Sequence, residues 1–337
     1  MEHKQKINVF IIVIIFAILT LLNGMFINPN VIKVRKETYK DQSVNQDLNN
    51  LTVLFFSDVY FGSNITETKF DKLIEKINLM DADIVLFGGD LVSPNHEISE
   101  EDKSYLSASL KSITANYGKY AVLGDYDNLD TNTKTIHSIL SDANFEILDN
   151  NNAKVKVKDS YLNIVGVNNL INANPNIETS FKDIKPEDFT IMITHTSDIA
   201  KSLESNSPKI LLAGHSLGGS VYIPFLTNQI LNDGSRIYAH GSHKLNNILI
   251  DTSNGITSPY NFRLFADPEI VIYKLKTTEA IVKEDIEDIK PEVDKTEDED
   301  NKPVQDDETE DNTQDESIDD ETEDDTLEDE DNSSDYE

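Results

Sequence analysis

Acidic and imidazole side chains recur in this sequence directly after short apolar runs. Five segments carry them: Ser57-Asp58-Val59-Tyr60, Gly88-Gly89-Asp90, Gly124-Asp125-Tyr126-Asp127, Thr194-His195 and Gly214-His215-Ser216-Leu217. Carboxylate oxygens and imidazole nitrogens are the donors that Zn²⁺, Mn²⁺ and iron accept in proteins. If the preceding strands end at one place, the five segments build a metal site.

The apolar runs predict the strands that would position these side chains. Continuous apolar runs, typical of strands covered on both faces, lie at residues 51–56, 84–87 and 120–123. Helices are predicted between and after them, near residues 67–79, 99–114 and 131–143. Such a β-α-β-α-β series predicts a mostly parallel sheet, with ligands at the carboxyl ends of its strands.

From residue 145 onward, helix signals become rare and strand signals dominate. The predicted strands are 153–157, 161–167, 189–194, 209–213, 220–223, 236–239, 247–251 and 269–275. This change predicts a second, more antiparallel sheet that packs against the first.

The order and types of the five segments resemble the calcineurin-like metallophosphoesterase family. Its motifs read Asp-x-His, Gly-Asp, Gly-Asn-His-Asp, a lone His, and Gly-His-x-His. The resemblance covers about residues 51–277, and the stretches 218–225 and 268–270 are similar to the membrane-anchored branch of the family. It implies a two-sheet αββα sandwich, a dinuclear metal centre and phosphoester hydrolysis.

One metal position implied by the resemblance keeps a full set of donors. It would use Asp90, Asp125, His195 and His215, where Asp125 replaces the family Asn. A divalent cation between two carboxylates and two neutral imidazoles forms a neutral cluster. We therefore expect one divalent ion here, Mn²⁺, Zn²⁺ or iron.

The other implied metal position is altered. It would use Asp58, Tyr60, Asp90 and Leu217, and Tyr60 and Leu217 stand where the family has imidazoles. A neutral phenol with a pKa near 10 is a poor ligand at neutral pH, and an aliphatic side chain cannot ligate. We expect this position to bind metal weakly, through Asp58, or not at all.

The same substitutions bear on catalysis. The two-metal mechanism uses both ions, about 3.5–4 Å apart, to polarise the phosphate and activate water. Tyr126 also replaces the family His beside the leaving group. The sequence thus predicts a phosphoesterase-like domain with weak or no hydrolase activity. The alternative is a scaffold or ligand-binding protein on the same fold, without metal.

A serine esterase is a third, weaker hypothesis. Residues 214–218 also fit Gly-x-Ser-x-Gly, with Ser216 as nucleophile and partners drawn from Asp233, Asp251, His240 and His243. The motif requires a helix directly after the serine. Residues 220–225 instead alternate like a strand and contain Pro224, which disfavours the elbow.

The N-terminal residues predict a membrane anchor. Residues 7–27 hold three clearly polar side chains, and a helix of that length spans about 30 Å, the thickness of a bilayer core. A cleaved signal peptide is the rival hypothesis, but no Ala-x-Ala pattern follows the run. Flanking charges do not decide the orientation; the family resemblance favours an outward-facing domain on a single-pass anchor in the cell membrane.

The C-terminal residues predict a disordered acidic tail. Residues 279–337 hold 4 basic and 30 acidic residues, a net −26 of the chain's −33. Such a segment repels itself and cannot bury enough apolar surface to fold. A nucleic-acid partner is disfavoured because the chain lacks clustered Lys and Arg, and no partner is predicted for the tail. The predicted organisation is anchor 1–27, linker 28–50, domain 51–277 and tail 278–337.

Overall fold

The computed structural model describes residues 2–129, 132–203, 208–231 and 233–278. The predicted acidic tail lies almost wholly outside these residues. The helices are α1 Glu2–Leu22, α2 Glu67–Asn78, α3 Glu100–Lys111, α4 Thr133–Asp142, α5 Ile177–Ser180 and α6 Thr227–Ile230. The strands are β1 Lys33–Asp41, β2 Thr52–Phe56, β3 Ile84–Phe87, β4 Lys119–Ala121, β5 Phe145–Ile147, β6 Asn151–Val157, β7 Ser160–Val167, β8 Thr190–Thr194, β9 Ile210–Ala213, β10 Gly241–Leu245, β11 Ile248–Thr252 and β12 Glu269–Thr277.

The first sheet has the strand order β1-β12-β2-β3-β4-β5. The pairing of β12 with β2 is antiparallel, and the other four pairings are parallel. α2, α3 and α4 cover the outer face through a buried apolar cluster that includes Phe70, Leu106 and Ile136. The predicted β-α-β-α-β series is confirmed, with helices of the expected lengths.

The second sheet has the order β10-β11-β9-β8-β7-β6, and two of its five pairings are antiparallel. It faces the first sheet across a shared apolar core that includes Phe55, Leu86, Ile164 and Ile193. α5 and a 3₁₀ turn, Ser197–Ser202, contribute Ile177 and Ile199 to a cluster on its outer face. The αββα sandwich expected from the family resemblance is confirmed.

Residues 28–50, predicted as a linker, contain a strand of the first sheet. β1 pairs in parallel with β12 from Lys33↔Glu269 to Asp41↔Thr277. The sequence signal was weak because β1 is an edge strand with many exposed charged side chains, so it lacks an apolar run. The folded domain therefore begins near Lys33 and not at residue 51.

Two predicted strands, 220–223 and 236–239, are absent from the described residues. Val221 makes one isolated bridge to Leu264, and no ladder follows. Gly218, Gly219 and Ser220 all have positive φ, so the backbone turns sharply there and cannot extend into a sheet. The alternating pattern of residues 220–225 belongs to a loop.

α1 is followed by a π-helical turn, Asn23–Ile27, and a 3₁₀ turn, Asn28–Asn30. The apolar helical stretch Gln5–Asn30 has a mean hydropathy of 2.8, and almost all of it is exposed. At about 1.5 Å per residue, it is long enough to cross a membrane. The chain passes from its end to β1 within a few residues.

Candidate metal centre

The carboxyl ends of the central strands of both sheets meet at one edge of the sandwich. Asp58 follows β2, Asp90 follows β3, Asp125 follows β4, His195 follows β8 and His215 follows β9. The ligand atoms of Asp125, His195 and His215 lie within 4.8 Å of one another, as do those of Asp58, Asp90 and His195. The structure therefore brings all five predicted donors into one cluster, and their role as ligands stays a prediction.

His195 lies at the centre of this cluster and is fully buried. Its Nδ1 is 2.7 Å from the Gly88 carbonyl oxygen, which can only accept, so Nδ1 carries a proton. Its Nε2 is 3.2 Å from Asp90 Oδ2 and 3.1 Å from Asp125 Oδ1, yet makes no well-formed hydrogen bond to a described residue. An imidazole fixed by a carbonyl on one nitrogen and aimed at carboxylates with the other has the arrangement of a metal ligand.

Asp125 and His215 complete this side of the centre. His215 Nδ1 is 2.9 Å from Asp125 Oδ1, and His215 Nε2 is 3.1 Å from the Asp233 carbonyl oxygen. The carbonyl can only accept, so Nε2 carries a proton and Nδ1 is the atom available to a cation. Burial acts to raise the pKa of Asp125, but the nearby imidazoles of His195 and His215 outweigh it and lower the pKa. The Asp125 side chain is thus ionised at neutral pH.

The opposite side of the centre contains Asp58 and Tyr60, and it shares Asp90 Oδ2 with His195. The Tyr60 hydroxyl donates to Asp90 Oδ2 at 3.0 Å and lies 3.4 Å from Asp58 Oδ1. Ser57 Oγ donates to Asp58 Oδ2 at 2.6 Å. Burial raises the pKa of Tyr60 well above its ordinary value, with the Asp90 and Asp58 charges adding to the effect, so the phenol stays protonated. A neutral hydroxyl therefore lies between two carboxylates that bind a cation in the family.

Burial also governs the charges inside the centre. It raises the pKa of Asp58; His195 opposes this, and the nearby Asp90 adds to it. For His195, burial acts to lower the pKa, but Asp90, Asp125 and Asp58 outweigh it and raise the pKa strongly. Three carboxylates around one imidazole are thus stabilised by positive charge, whether it comes from a proton or from a cation.

Tyr126 lies beside the centre and is half-buried. Its backbone N–H donates to Asp90 Oδ1 at 3.0 Å, and its ring contacts Tyr60 edge to face with 5.7 Å between centroids. Burial raises the pKa of its phenol, with Asp125 and Asp90 adding to the effect. The phenol is therefore a neutral hydrogen-bond donor at neutral pH, where the family carries an imidazole.

Five residues of the centre have left-handed backbone conformations, which cost non-glycine residues about 1–2 kcal/mol each. They are Asp58 (φ 56°), Tyr60 (φ 49°), Asp90 (φ 61°), His215 (φ 68°) and Leu217 (φ 55°). These turns aim the side chains that follow the strands into the space between the sheets. Leu217 keeps the conformation although its side chain offers no donor, and its carbonyl oxygen accepts from Arg263 Nη1 at 2.6 Å.

Asp127 holds the loops of the centre in place, a role that the sequence analysis did not assign. Its buried carboxylate accepts from the backbone N–H groups of Asp90 (2.6 Å), Leu91 (3.0 Å) and Gly124 (3.0 Å). Burial, with Asp90 nearby, raises its pKa to about 7. The loop at Gly124 lies so close to Asp90 that a Cβ at position 124 would lie 2.0 Å from Asp90 Oδ1. The available signal was the final Asp of the third motif.

Arg263 is a second residue that the sequence analysis missed. It is buried, and its guanidinium donates to the carbonyl oxygens of Leu217, Ala266 and Thr257. Burial lowers its pKa to about 10, and Asp58 opposes this shift. A lone Arg in a polar loop carries no sequence signal for this role.

The structure does not support the serine esterase hypothesis. Ser216 is buried, and its Oγ accepts from the Gly218 N–H within a 3₁₀ turn, Leu217–Gly219, where the elbow requires a helix. The proposed partners are engaged elsewhere, since His240 Nδ1 is 2.6 Å from Asn254 Oδ1 and Asp251 accepts from Arg35 and Tyr273. No triad forms around Ser216 among the described residues.

A two-sheet sandwich with carboxylates and imidazoles at its strand ends defines the class of metallophosphoesterases. Residues 51–251 match the family model described as calcineurin-like phosphoesterase, which is more than half of the chain. The chain belongs to this family. Divalent metals are a property of the family, and the clustered carboxylates and imidazoles described above are the candidate ligands here.

Two curated relatives carry the same family description. The chain is 23% identical over 255 residues to the uncharacterized metallophosphoesterase YkuE of Bacillus subtilis, covering 75% of this chain and 88% of that protein. It is 22% identical over 201 residues to the transmembrane protein with metallophosphoesterase domain of Bos taurus, covering 55% of this chain and 44% of that protein. Among solved structures, the calcineurin-like phosphoesterase YfkN of Bacillus subtilis matches with a TM-score of 0.37 and 12% identity, over 61% of this chain and 81% of that one.

Proposed function

We propose that this protein is a membrane-anchored metallophosphoesterase-like domain that binds one divalent cation and hydrolyses phosphoesters slowly or not at all. The cation, Mn²⁺, Zn²⁺ or iron, would be held by Asp90, Asp125, His195 and His215. The single observation that carries the proposal is the buried His195 Nε2, aimed at Asp90 and Asp125 without a well-formed hydrogen bond to a described residue. Two carboxylates and two imidazoles suit these cations.

The second cation position is weakened by its side chains. The Tyr60 hydroxyl lies between Asp58 and Asp90, donates a hydrogen bond to Asp90 and stays close to Asp58. Leu217 occupies the last position of the fifth motif and contributes no donor. A cation at this position would have to displace a hydrogen-bonded phenol. With His195 committed to the first cation, it would find only two carboxylates, which favours single occupancy.

The consequences for chemistry follow from the residues that remain. A bound divalent cation supplies Lewis-acid charge for a phosphoryl oxygen. Asp125 and His215 are the least buried donors of the centre, so we expect a phosphate to approach on their side, where the half-buried Tyr126 offers a neutral hydroxyl. A phenol of raised pKa can donate a hydrogen bond to a leaving-group oxygen but is a weaker acid than an imidazolium. Slow turnover is the expected result.

We extend the proposal to location. α1 would be a single-pass anchor in the cell membrane, with the domain facing outward. Its length and exposed apolar surface support the anchor, as does the similarity to proteins described as transmembrane proteins with a metallophosphoesterase domain. The outward orientation rests on the family resemblance alone.

Metal analysis of the purified full chain tests the proposal. We expect one divalent ion per chain by inductively coupled plasma mass spectrometry, and none in His195→Ala. His96→Ala is the matched control, because His96 is half-buried and paired with Asp102 at 3.1 Å, outside the cluster. Two ions in the unaltered chain would contradict the proposal, and none would favour the scaffold alternative.

Turnover separates an impaired enzyme from a scaffold. With bis(p-nitrophenyl) phosphate, weak hydrolysis that requires added metal and disappears in His215→Ala would support residual catalysis. With a carboxylic ester such as p-nitrophenyl acetate, hydrolysis that resists chelators and disappears in Ser216→Ala would instead support the esterase hypothesis.

A further inference from the structure

The end of the sandwich that carries the metal centre is also the end nearest to α1. β1 begins at Lys33, three residues after the helical stretch, and Lys33 pairs with Glu269 at the start of β12. β12 runs antiparallel to β2, so Val271 lies beside Phe55, near the carboxyl end of β2. Asp58 follows that end directly. The topology therefore places the centre on the side of the domain that faces the anchor.

Two loops at this end connect the anchor to the metal centre. We call residues 221–231 and 258–265 the rim loops. They are joined by backbone hydrogen bonds, including Tyr222 N to Leu264 O at 2.9 Å. Arg263 N donates to Gly24 O at 2.9 Å in the turn that ends the apolar helix, and the Arg263 guanidinium donates to Leu217 O at 2.6 Å. One residue thus contacts both the anchor and the fifth motif.

The contact between the rim loops and the anchor is tight. A Cβ on Gly24 would lie 2.9 Å from the ring of Phe262 and 3.1 Å from the Arg263 carbonyl oxygen. Asn28 Nδ2 donates to that same carbonyl at 3.2 Å. This close packing fixes the rim loops beside the end of the apolar helix.

The rim loops present an exposed apolar surface. Beyond residue 30, the described part of the chain exposes thirteen large apolar side chains, and six of them lie in these nineteen residues. The six are Ile223, Phe225, Leu226, Ile230, Tyr260 and Phe265. Phe225 is 89% exposed, Tyr260 76% and Ile230 72%. Such a concentration marks an interaction surface and not the scatter of single apolar residues found on most proteins.

The near-absence of charged side chains favours a lipid surface as the occupant. The rim loops contain no Asp or Glu and only one charged residue, the buried Arg263, in a chain with a net charge of −33. Anionic headgroups would therefore meet no repulsion here, and aromatic side chains prefer the membrane interface. The surface is also continuous with the apolar helix, whose last turns expose Met25, Phe26 and Ile27.

We propose that the rim loops dock into the headgroup layer of the membrane that α1 crosses, which holds the mouth of the metal centre at the lipid surface. This inference rests on the anchor proposed above and does not require that the centre bind metal. A centre held there receives phosphate groups at the level of lipid headgroups. Phosphoesters carried by lipids are then its nearest substrates.

Site-directed labelling of the full chain in lipid nanodiscs tests the docking. The sequence has no Cys, so each introduced thiol is the only one. Phe225→Cys and Tyr260→Cys would carry an environment-sensitive fluorophore on the rim loops. Tyr161→Cys is the matched control, because Tyr161 is an exposed aromatic near the start of β7, at the opposite end of the parallel strands. Ile14→Cys, inside α1, reports on the anchor.

We expect loss of fluorescence at the two rim positions with lipids that carry a spin label in the headgroup region, and little loss with iodide in the water. The Tyr161→Cys label should respond in the opposite way. Equal iodide quenching at positions 225 and 161, with a lipid-quenched label at position 14, would overturn the docking and leave the anchor intact. A label at position 14 that iodide quenches would overturn the anchor itself. Shielding of position 225 from both quenchers would show a protein partner or a second copy on this surface, and would also overturn lipid docking.

Discussion

The two sides of the metal centre share one backbone framework and differ in what their side chains can bind. On one side, Asp125, His195 and His215 gather three donors within 4.8 Å. On the other, Asp58 and Asp90 face a phenol, and Leu217 offers no donor. Both sides keep left-handed turns directly after their strands. The two sides thus share a backbone framework, and they differ in the side chains at positions 60 and 217.

The hydrogen bonds around Asp58 and Asp90 show how neutral donors can stabilise a buried carboxylate pair. The Tyr60 hydroxyl donates a hydrogen bond to Asp90 and lies close to Asp58, where a cation would otherwise supply positive charge. Ser57 donates a further hydrogen bond to Asp58. A buried pair of like charges without such donors would be costly. The altered side is therefore a hydrogen-bonded cluster and not simply a damaged site. Four experiments can break or sharpen this comparison.

The largest effect is expected from restoring the missing imidazoles. The double variant Tyr60→His with Leu217→His should bind two ions in place of one and raise hydrolysis of bis(p-nitrophenyl) phosphate by at least about 100-fold, because electrostatic stabilisation of this kind contributes factors of 10²–10³. Metal analysis and steady-state kinetics measure both. Leu79→His, at an exposed and distant position, is the control. One ion and an unchanged rate would show that the substituted side chains do not limit the centre.

Metal removal should act through the donor-rich side. At a free ion concentration 100 times the Kd, a bound ion stabilises the fold by about 2.7 kcal/mol, so a chelator should lower the Tm by about 5–10 °C. Differential scanning fluorimetry with and without chelator measures this. The response should disappear in Asp125→Ala and persist in Asp58→Asn. The reverse pattern would place the ion on the side of the centre that contains Asp58 and Tyr60, which contradicts the proposal.

Asp127 supports both sides, so its loss should destabilise the domain. Asp127→Ala leaves three buried N–H groups without their acceptor, and we expect a loss of about 2 kcal/mol in the free energy of unfolding. Chemical denaturation monitored by circular dichroism gives the value. Asp142→Ala, at the exposed end of α4, should have little effect. If Asp127→Ala matches that control, water satisfies the three donors.

The smallest effect is expected from the Tyr60 hydroxyl. Tyr60→Phe removes one hydrogen bond to Asp90 and should cost about 1 kcal/mol, while the metal content stays at one ion. Equilibrium unfolding and metal analysis report the two quantities. Tyr161→Phe serves as the control. A rise to two bound ions would show that the phenol alone keeps the second cation out.

Much of the fold could be predicted because it depends on local patterns. The buried strands β2 and β3 are continuous apolar runs, and α2 has apolar residues at helical spacing, so each was found with nearly correct bounds. β1 was missed because an edge strand is half exposed, and its many charged residues give it the composition of a linker. The strand predicted at 220–223 was wrong because alternation alone cannot reveal positive-φ turns at Gly218 and Gly219.

The candidate site could be predicted in its members but not in its contacts. The family motifs mark Asp90, Asp125, His195 and His215, and the structure brings these side chains together. Only the tertiary structure shows that the Tyr60 hydroxyl lies between Asp58 and Asp90. The same holds for the three backbone hydrogen bonds that Asp127 accepts. Side-chain hydrogen bonds between distant segments depend on angles that no motif specifies.

By itself, the sequence determined the family, the apolar N-terminal helix and the identity of the donors on each side of the centre, because these follow from residue types in order along the chain. Only the tertiary structure decided which carboxylates share a hydroxyl, that Arg263 joins the anchor to the fifth motif, and that the centre faces the end of the sandwich nearest α1. The physical reason is that the shared hydroxyl depends on the pairing of β2 with β3, and the position of the centre relative to the anchor depends on the pairing of β12 with both β1 and β2. That pairing brings residues more than 200 positions apart into contact, and contacts of that range are set by packing of the whole domain.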